Sequence, residues 1–139
     1  MNKVFVDTNL ILRYLTNDIP EQAVLFENIL KRALTGEIDL IVNTMVIAEI
    51  VWTLQSFYKY PKNKIDEIVS SIVASEAFEI QERDILLQSL EDFQTLNIDF
   101  IDAYIGNWMK MQGIHKVVTF NLKDFKRISD INVYQPSEI

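Results

Sequence analysis

The chain has 139 residues, and 20 acidic against 13 basic side chains give it a net charge of −7 at pH 7. This acidic balance argues against a passive nucleic-acid-binding surface, but it fits an enzyme whose carboxylates are neutralised by a divalent metal. With 49% hydrophobic residues, three glycines, three prolines and no cysteine, the composition predicts one cytoplasmic globular domain over residues 1–139, without disulfides or thiolate metal sites. We expect neither secretion nor a membrane span.

Short apolar runs alternate with helical patterns, which predicts an α/β fold with a central, mainly parallel, five-stranded sheet flanked by helices. The predicted strands are Lys3–Val6, Leu40–Val42, Phe78–Ile80, Lys116–Thr119 and Asn132–Tyr134. The predicted helices lie near Leu10–Leu15, Glu21–Leu34, Thr44–Tyr58, 64–76, Arg83–Thr95 and Phe100–Gln112. The helices at 64–76 and 83–95 predict a helical-hairpin arm that either protrudes or packs on a second subunit.

Asp7 follows the first predicted strand directly and precedes an apolar helical pattern that starts at Leu10. In open α/β sheets, ligands bind outside the carboxyl ends of the strands. Asp7 is therefore the first candidate functional residue.

Glu49 is the only charged residue between Asn43 and Tyr58. It points away from the apolar stripe of its helix, and its neighbours one turn away are Met45 and Trp52. A glutamate in such surroundings is expected to be paired, metal-bound or raised in pKa. The alternative is a glutamate at the rim that pairs with a lysine from elsewhere in the chain.

Asp99 and Asp102 precede and open another apolar helix, in an Asp-x-x-Asp arrangement. The spacing is typical of an N-cap aspartate followed by an acid in the first helical turn. It equally suits one metal-binding carboxylate. Asn121 and Asp124 follow the fourth predicted strand, and here an ordinary turn acid at Asp124 is the simpler interpretation.

Carboxylate oxygens suit hard cations such as Mg²⁺ and Mn²⁺. Two carboxylates about 4 Å apart repel by roughly 4 kcal/mol at an effective dielectric constant of 20. A pocket of three or four acids therefore needs a cation or shifted pKa values. Such a metal polarises a phosphodiester and lowers the pKa of a bound water.

Four short motifs resemble those of PIN-domain ribonucleases, specifically the VapC-type toxins of toxin–antitoxin modules. The resemblance covers almost the whole chain and rests on the order and spacing of the motifs. They are Phe5-Val6-Asp7-Thr8-Asn9 with Leu12-Arg13-Tyr14-Leu15, then Ile47-Ala48-Glu49, Phe100-Ile101-Asp102-Ala103 and Val118-Thr119-Phe120-Asn121.

This resemblance implies a single PIN-like domain that hydrolyses RNA with Mg²⁺ or Mn²⁺. It also implies that Asp7, Glu49 and Asp102 are the catalytic, metal-binding acids. The implied partners are an RNA substrate, a cognate antitoxin protein and a second copy of the chain in a homodimer.

One position departs from the family pattern, because the family often has an aspartate where this chain has Asn121. An asparagine can bind a metal or hold a water molecule, but it supplies no negative charge. Asn121, Asp124 and Asp99 are the three candidates to complete the metal site.

Polar side chains beside the motif acids are candidates for supporting roles. Thr8, Asn9 and Thr119 are expected to orient the acids and water molecules by hydrogen bonds. Arg13 and Lys123 are the candidates for contacts with the substrate.

Two rival functions use the same residues. An aspartyl-phosphate phosphatase would use Asp7 as its nucleophile, but that chemistry commonly wants a second acid where this chain has Asn9. A degenerate PIN module would bind nucleic acid or protein without catalysis, and Asn121 favours this alternative.

Overall fold

The computed structural model describes residues 2–139, which divide into two compact units. The first unit ends at Arg83, and the second runs from Asp84 to Ile139. Helices alternate with short parallel strands within each unit, so the predicted α/β class with parallel pairing is confirmed.

The first unit contains three strands and four helices. They are β1 (Lys3–Phe5), α1 (Thr8–Thr16), α2 (Pro20–Leu34), β2 (Asp39–Ile41), α3 (Thr44–Ser56), α4 (Lys62–Ala74) and β3 (Phe78–Glu79). The strands pair in parallel in the order β1-β2-β3. Their helical connections are what parallel pairing requires, since a short hairpin turn cannot join two parallel strands.

Helix α1 begins at Thr8, two residues before the predicted start at Leu10. Asp7 caps this helix, since its side chain accepts a hydrogen bond from the backbone N–H of Thr8. An N-cap acid satisfies a helix donor that has no partner inside the helix. The apolar periodicity therefore marks only the buried part of the helix, and the cap sets its first residue.

Helix α4 packs against α3 and buries the apolar stripe that its sequence predicts. The buried residues of this stripe are Ile65, Val69, Ile72 and Val73. The second helix of the predicted arm belongs to the other unit, so the arm as a pair of helices stays a prediction.

The second unit contains three helices, two strands and a short 3₁₀ turn. They are α5 (Arg83–Thr95), α6 (Phe100–Met111), β4 (Lys116–Val118), α7 (Leu122–Lys126), β5 (Asn132–Tyr134) and the turn Pro136–Glu138. Strands β4 and β5 pair in parallel, with Val117 opposite Val133.

The prediction of one five-stranded central sheet is wrong. Within residues 2–139, the strands form a three-stranded sheet, β1-β2-β3, and a separate two-stranded sheet, β4-β5. All five strands are only two or three residues long. An apolar run identifies a strand but not its neighbours, which is why the sequence predicted the strands but not the break between the sheets.

Helix α6 comes close to the chain that follows α7 because Gly106 has no side chain. A Cβ atom at Gly106 would lie 2.8 Å from Cδ1 of Ile128 and 3.2 Å from Cδ1 of Ile131. Ala103, one turn earlier, belongs with Ile128 to the buried core of this unit. Gly106 and Ala103 are therefore small enough to let apolar side chains of the same unit pack directly against α6.

A buried polar group joins α5 to α6. The amide of Asn107 donates to Asp92 (2.9 Å), to the Ser89 hydroxyl (3.3 Å) and to the carbonyl of Ala103 (3.0 Å). The Gln88 amide donates to the other oxygen of Asp92 at 3.0 Å. Because buried polar groups are costly without partners, this arrangement fixes how α6 lies on α5.

Asn107→Ala is expected to lower the free energy of unfolding by about 1–3 kcal/mol, because it leaves buried acceptors of Asp92 and Ser89 without their donor. Urea unfolding followed by circular dichroism measures this change. Asn63→Ala, at an exposed position in α4, is the control and is expected to have little effect. Equal effects of the two substitutions would contradict a stabilising role for the Asn107 contacts.

None of the helices in residues 2–139 combines the length and the apolar character that crossing a bilayer needs.

Candidate functional site

Asp7 lies at the carboxyl end of β1. The backbone N–H of Val6 donates to the carbonyl of Ile41 at 2.9 Å, so the ladder with β2 ends directly before Asp7. One carboxylate oxygen of Asp7 accepts from the backbone N–H of Thr8 at 2.8 Å. The side chain is otherwise exposed, so the strand and the cap hold an accessible carboxylate at the start of α1.

Glu49 is exposed on α3, on the side away from the buried apolar stripe of that helix. Its Oε2 accepts a hydrogen bond from the Thr8 hydroxyl at 2.5 Å. Exposed Met45 and Trp52 flank it, one turn away on either side. The partner of Glu49 in this unit is therefore a hydroxyl, and not the lysine considered from the sequence.

Thr8 connects the two acids of the first unit. Its side chain is only 4% exposed, its backbone N–H is bound to Asp7, and its hydroxyl is bound to Glu49. Since the hydroxyl is buried, it has few ways to rotate, and it holds one oxygen of Glu49 in place.

Asp102 lies in the first turn of α6, as the sequence predicts, and is partly buried. The Asn121 amide donates to its Oδ2 at 2.6 Å. Asp99 is the N-cap residue of the same helix, but its side chain makes no capping hydrogen bond. Instead, its backbone N–H donates to Oδ2 of Asp124 at 3.1 Å. The starts of α6 and α7 therefore bring three aspartates and one asparagine together.

The pKa of Asp102 is raised from an ordinary 3.8 to about 6. Burial is the largest cause, followed by the negative charges of Asp99 and Asp124 and by a hydrogen bond with Asp124. The hydrogen bond from Asn121 acts in the opposite direction and lowers the pKa. Negative charge at Asp102 is thus unfavourable without a nearby cation.

Asn121 supplies a donor to this cluster and no charge. Its backbone N–H is held by the Thr119 hydroxyl at 2.9 Å, at the end of β4, so Thr119 positions the asparagine. The negative charge near Asp102 comes from Asp99 and Asp124 instead. The sequence named these three residues as alternatives, and the structure brings all three to Asp102.

Arg13, a predicted substrate contact, pairs with Asp18 at 2.9 Å. Desolvation alone would raise the pKa of Asp18. Hydrogen bonds from Tyr58 and Thr16 and the charge of Arg13 outweigh this effect, so the pKa of Asp18 is lowered overall. Asn9 shares with Arg13 a small groove of about 170 Å³, whose other lining residues are Leu10, Gln22 and Leu25. The other predicted contact, Lys123, is exposed on α7.

The chemistry of these donors fits a hard divalent cation. Carboxylate and amide oxygens are the ligands that Mg²⁺ and Mn²⁺ take, and the negative charges of Asp99 and Asp124 beside Asp102 are of the kind that a cation neutralises. Within residues 2–139, no three histidine, cysteine, aspartate or glutamate side chains already stand in a metal-holding arrangement.

Two contacts in these regions were not predicted from the sequence. The hydrogen-bonded pair of Asp102 and Asp124 joins residues far apart in the chain, and only the recurrence of an acid at a helix start hints at it. The pairing of Asp18 with Arg13 and Tyr58 has no sequence signal, because Asp18 reads as an ordinary helix-start residue.

The family model of the PIN domain matches residues 4–131, and the chain belongs to the PIN domain family. It is similar to a protein of Aquifex aeolicus (strain VF5) named VapC ribonuclease. The two are 25% identical over 134 residues, which cover 95% of this chain and 98% of that protein. No solved structure matches the chain. The family resemblance predicted from the four motifs is confirmed.

Asp102→Asn is expected to stabilise the metal-free protein above pH 6. Because the folded pKa is raised, the stability that Asp102 contributes is fully present below its ordinary pKa of 3.8 and is lost as the pH rises through about 6. The substitution removes this loss. Thermal unfolding in EDTA between pH 4 and pH 8 should show that the unfolding midpoint of the variant increases relative to that of the wild type as the pH rises.

Asp130→Asn is the matched control for this prediction, because it removes one carboxylate from an exposed position whose backbone, at φ +64, suits asparagine. Its difference from the wild type should not change between pH 4 and pH 6, where the difference of Asp102→Asn develops. A pH-independent effect of Asp102→Asn would contradict the raised pKa.

Proposed function

We propose that this chain is a metal-dependent endoribonuclease and the toxin of a type II toxin–antitoxin pair. The observation that carries the proposal is the cluster of Asp99, Asp102, Asn121 and Asp124, joined by hydrogen bonds at the starts of α6 and α7, in a chain of the PIN domain family. The name of the Aquifex relative, VapC ribonuclease, supports RNA as the substrate.

Asp7, Glu49 and Asp102 are the proposed catalytic acids that bind Mg²⁺ or Mn²⁺. Their support is the order of the family motifs, the position of Asp7 at the end of a strand and of Asp102 in the first turn of a helix, and the hydrogen bond that holds Glu49, in the middle of α3, to Thr8. A divalent metal bound there would supply an activated water for attack on phosphorus and would polarise the phosphodiester. Direct attack by water leaves 5′-phosphate and 3′-hydroxyl ends.

The other polar residues serve these acids. Thr8 orients Glu49 through its hydroxyl, and Asn121 orients Asp102 through its amide. Asp124 and Asp99 supply the negative charge that Asn121 lacks. The raised pKa of Asp102 means that protons compete with a cation for this carboxylate below about pH 6.

We propose further that the chain acts as one domain in the cytoplasm, forms a homodimer and is bound by an antitoxin protein. The name of the relative, VapC ribonuclease, supports the antitoxin, because the VapC-type proteins that the motifs resemble are toxins of toxin–antitoxin modules. Exposed apolar side chains on α2, among them Val24 and Leu25, are available to a dimer or partner surface. The absence of cysteine is consistent with the cytoplasm.

A degenerate PIN module that binds without catalysis is the second candidate. Asn121, in place of an acid, and the lack of a ready three-acid arrangement among residues 2–139 favour it. A module of this kind would bind RNA or a protein partner and would not respond to Mn²⁺.

Purified protein is expected to cleave structured RNA with Mn²⁺ or Mg²⁺, and Asp7→Asn should reduce cleavage to background. Thr8→Val keeps the shape of the buried side chain but removes the hydroxyl from Glu49. Since partners that orient metal ligands typically contribute about 10–100-fold, this variant should lose activity by that factor. Gel analysis of labelled RNA measures both effects.

Thr8→Ser restores the hydroxyl and should recover most of the activity, and Asp130→Asn should behave as the wild type. Cleavage that persists in EDTA or in Asp7→Asn would refute the metal mechanism. An RNA-binding protein without cleavage under any metal would establish the degenerate module instead.

A further inference from the structure

The segment Phe57–Lys64, which runs from the end of α3 into α4, is basic and aromatic in an otherwise acidic chain. It contains three lysines and three aromatic residues but no acid, whereas the whole chain has a net charge of −7. These residues are Phe57, Tyr58, Lys59, Tyr60, Lys62 and Lys64. We call it the basic–aromatic segment.

The rings of the basic–aromatic segment are ordered against one another. Phe57 is 74% exposed, and its ring meets that of Tyr58 edge-on at a centroid distance of 5.0 Å. The rings of Tyr58 and Tyr60 are 5.9 Å apart, and the Lys64 ammonium lies 3.9 Å from the centre of the Tyr60 ring. The Phe57 ring therefore contacts Tyr58 along one side and leaves most of its surface exposed to solvent.

Lys59 adopts a backbone conformation that lysine rarely takes. Its φ is +59°, in the left-handed region that favours glycine and asparagine, and its side chain is exposed. Glycine would adopt this turn conformation with less strain than lysine. The exposed side chain of Lys59 is available to a ligand despite this cost.

The basic–aromatic segment is tied to the first helix through Asp18. The Tyr58 hydroxyl donates to Oδ2 of Asp18 at 3.0 Å, and Arg13 binds the same oxygen at 2.9 Å. Arg13 therefore lies beside the segment and adds a fourth cationic side chain to the same surface. Asp18 offsets the charge of Arg13, and the exposed side chain of Lys59 keeps the segment basic.

We propose that the basic–aromatic segment binds single-stranded RNA, with an unpaired base stacked on Phe57 and phosphates held by Lys59 and Lys64. An exposed aromatic face with interleaved cations is how proteins bind unpaired nucleotides without reading their sequence. Three of the chain's 13 basic residues fall within these eight positions, which contain no acid, so the segment attracts the RNA backbone although the whole chain has a net charge of −7.

RNA as the ligand rests on the proposed function. Phe57 lies eight positions after Glu49, which is about 12 Å along the chain at 1.5 Å per helical residue. Stacked nucleotides rise about 3.4 Å each along one strand. A few nucleotides would therefore reach from a base on Phe57 to a phosphate beside Glu49.

The test measures binding of a short fluorescein-labelled single-stranded RNA to the full chain in EDTA, where metal-dependent cleavage cannot interfere. Phe57→Leu keeps an apolar side chain but removes the aromatic face, and it should weaken binding by about fivefold or more. Phe57→Trp restores an aromatic face and should restore affinity. Unfolding midpoints of both variants should match the wild type, because Phe57 is exposed.

Lys59→Asn removes the charge and places a residue that tolerates φ +59°. If Lys59 contacts one phosphate, the slope of log affinity against log salt should fall by about 0.7. Lys31→Asn removes one charge from an exposed position on α2 and should leave that slope unchanged.

Equal slopes in the Lys59 and Lys31 variants, or equal affinities of Phe57→Leu and wild type, would overturn the proposal. So would a wild-type chain that fails to bind the RNA, in which case the segment serves another partner, such as an acidic protein. Since binding is measured without metal, a chain that binds here but cuts no RNA would refute the nuclease and leave the binding segment intact.

Discussion

Burial of Asp102 among other carboxylates at the starts of α6 and α7 is the constraint on which the candidate site depends. Burial raises the pKa of Asp102 to about 6, and the charges of Asp99 and Asp124 add to the shift. Folding nevertheless keeps the three carboxylates together. Unpaired negative charge of this kind lowers stability, and functional sites are where proteins retain such a cost.

The same elements that build the fold also hold the candidate ligands. Asp7 caps α1 with one oxygen, and buried Thr8 holds Glu49, so two acids are fixed without any ion pair to lysine or arginine in the first unit. Hydrogen bonds from neutral groups orient a carboxylate and leave its charge available. A lysine in place of the Thr8 hydroxyl would compete with a metal for that charge.

The candidate acids and the basic–aromatic segment occupy different stretches of the chain. Carboxylates gather at strand and helix ends, while the basic–aromatic segment collects three lysines beside exposed Phe57. A net charge of −7 therefore argues against a broad nucleic-acid-binding face but permits a narrow one.

The sequence predicted what local patterns determine. Alternating apolar runs gave the positions of the strands. The end of the first strand marked Asp7 and the start of a helix marked Asp102, because strand ends and helix caps are short-range features. Pairing between distant segments was not predictable in this way. The separation of β4-β5 from the first sheet and the contact of Asp124 with Asp99 depend on tertiary packing, which no local periodicity encodes.

Titration of ¹⁵N-labelled protein with paramagnetic Mn²⁺ tests the proposed metal-binding acids most directly. At low Mn²⁺, the amide signals of Asp7, Thr8, Glu49 and Asp102 should broaden together, and Asp102→Asn should weaken the effect at all four positions. Broadening confined to the residues around Asp102, or spread evenly over the acidic surface, would contradict the proposal that these acids bind the catalytic metal.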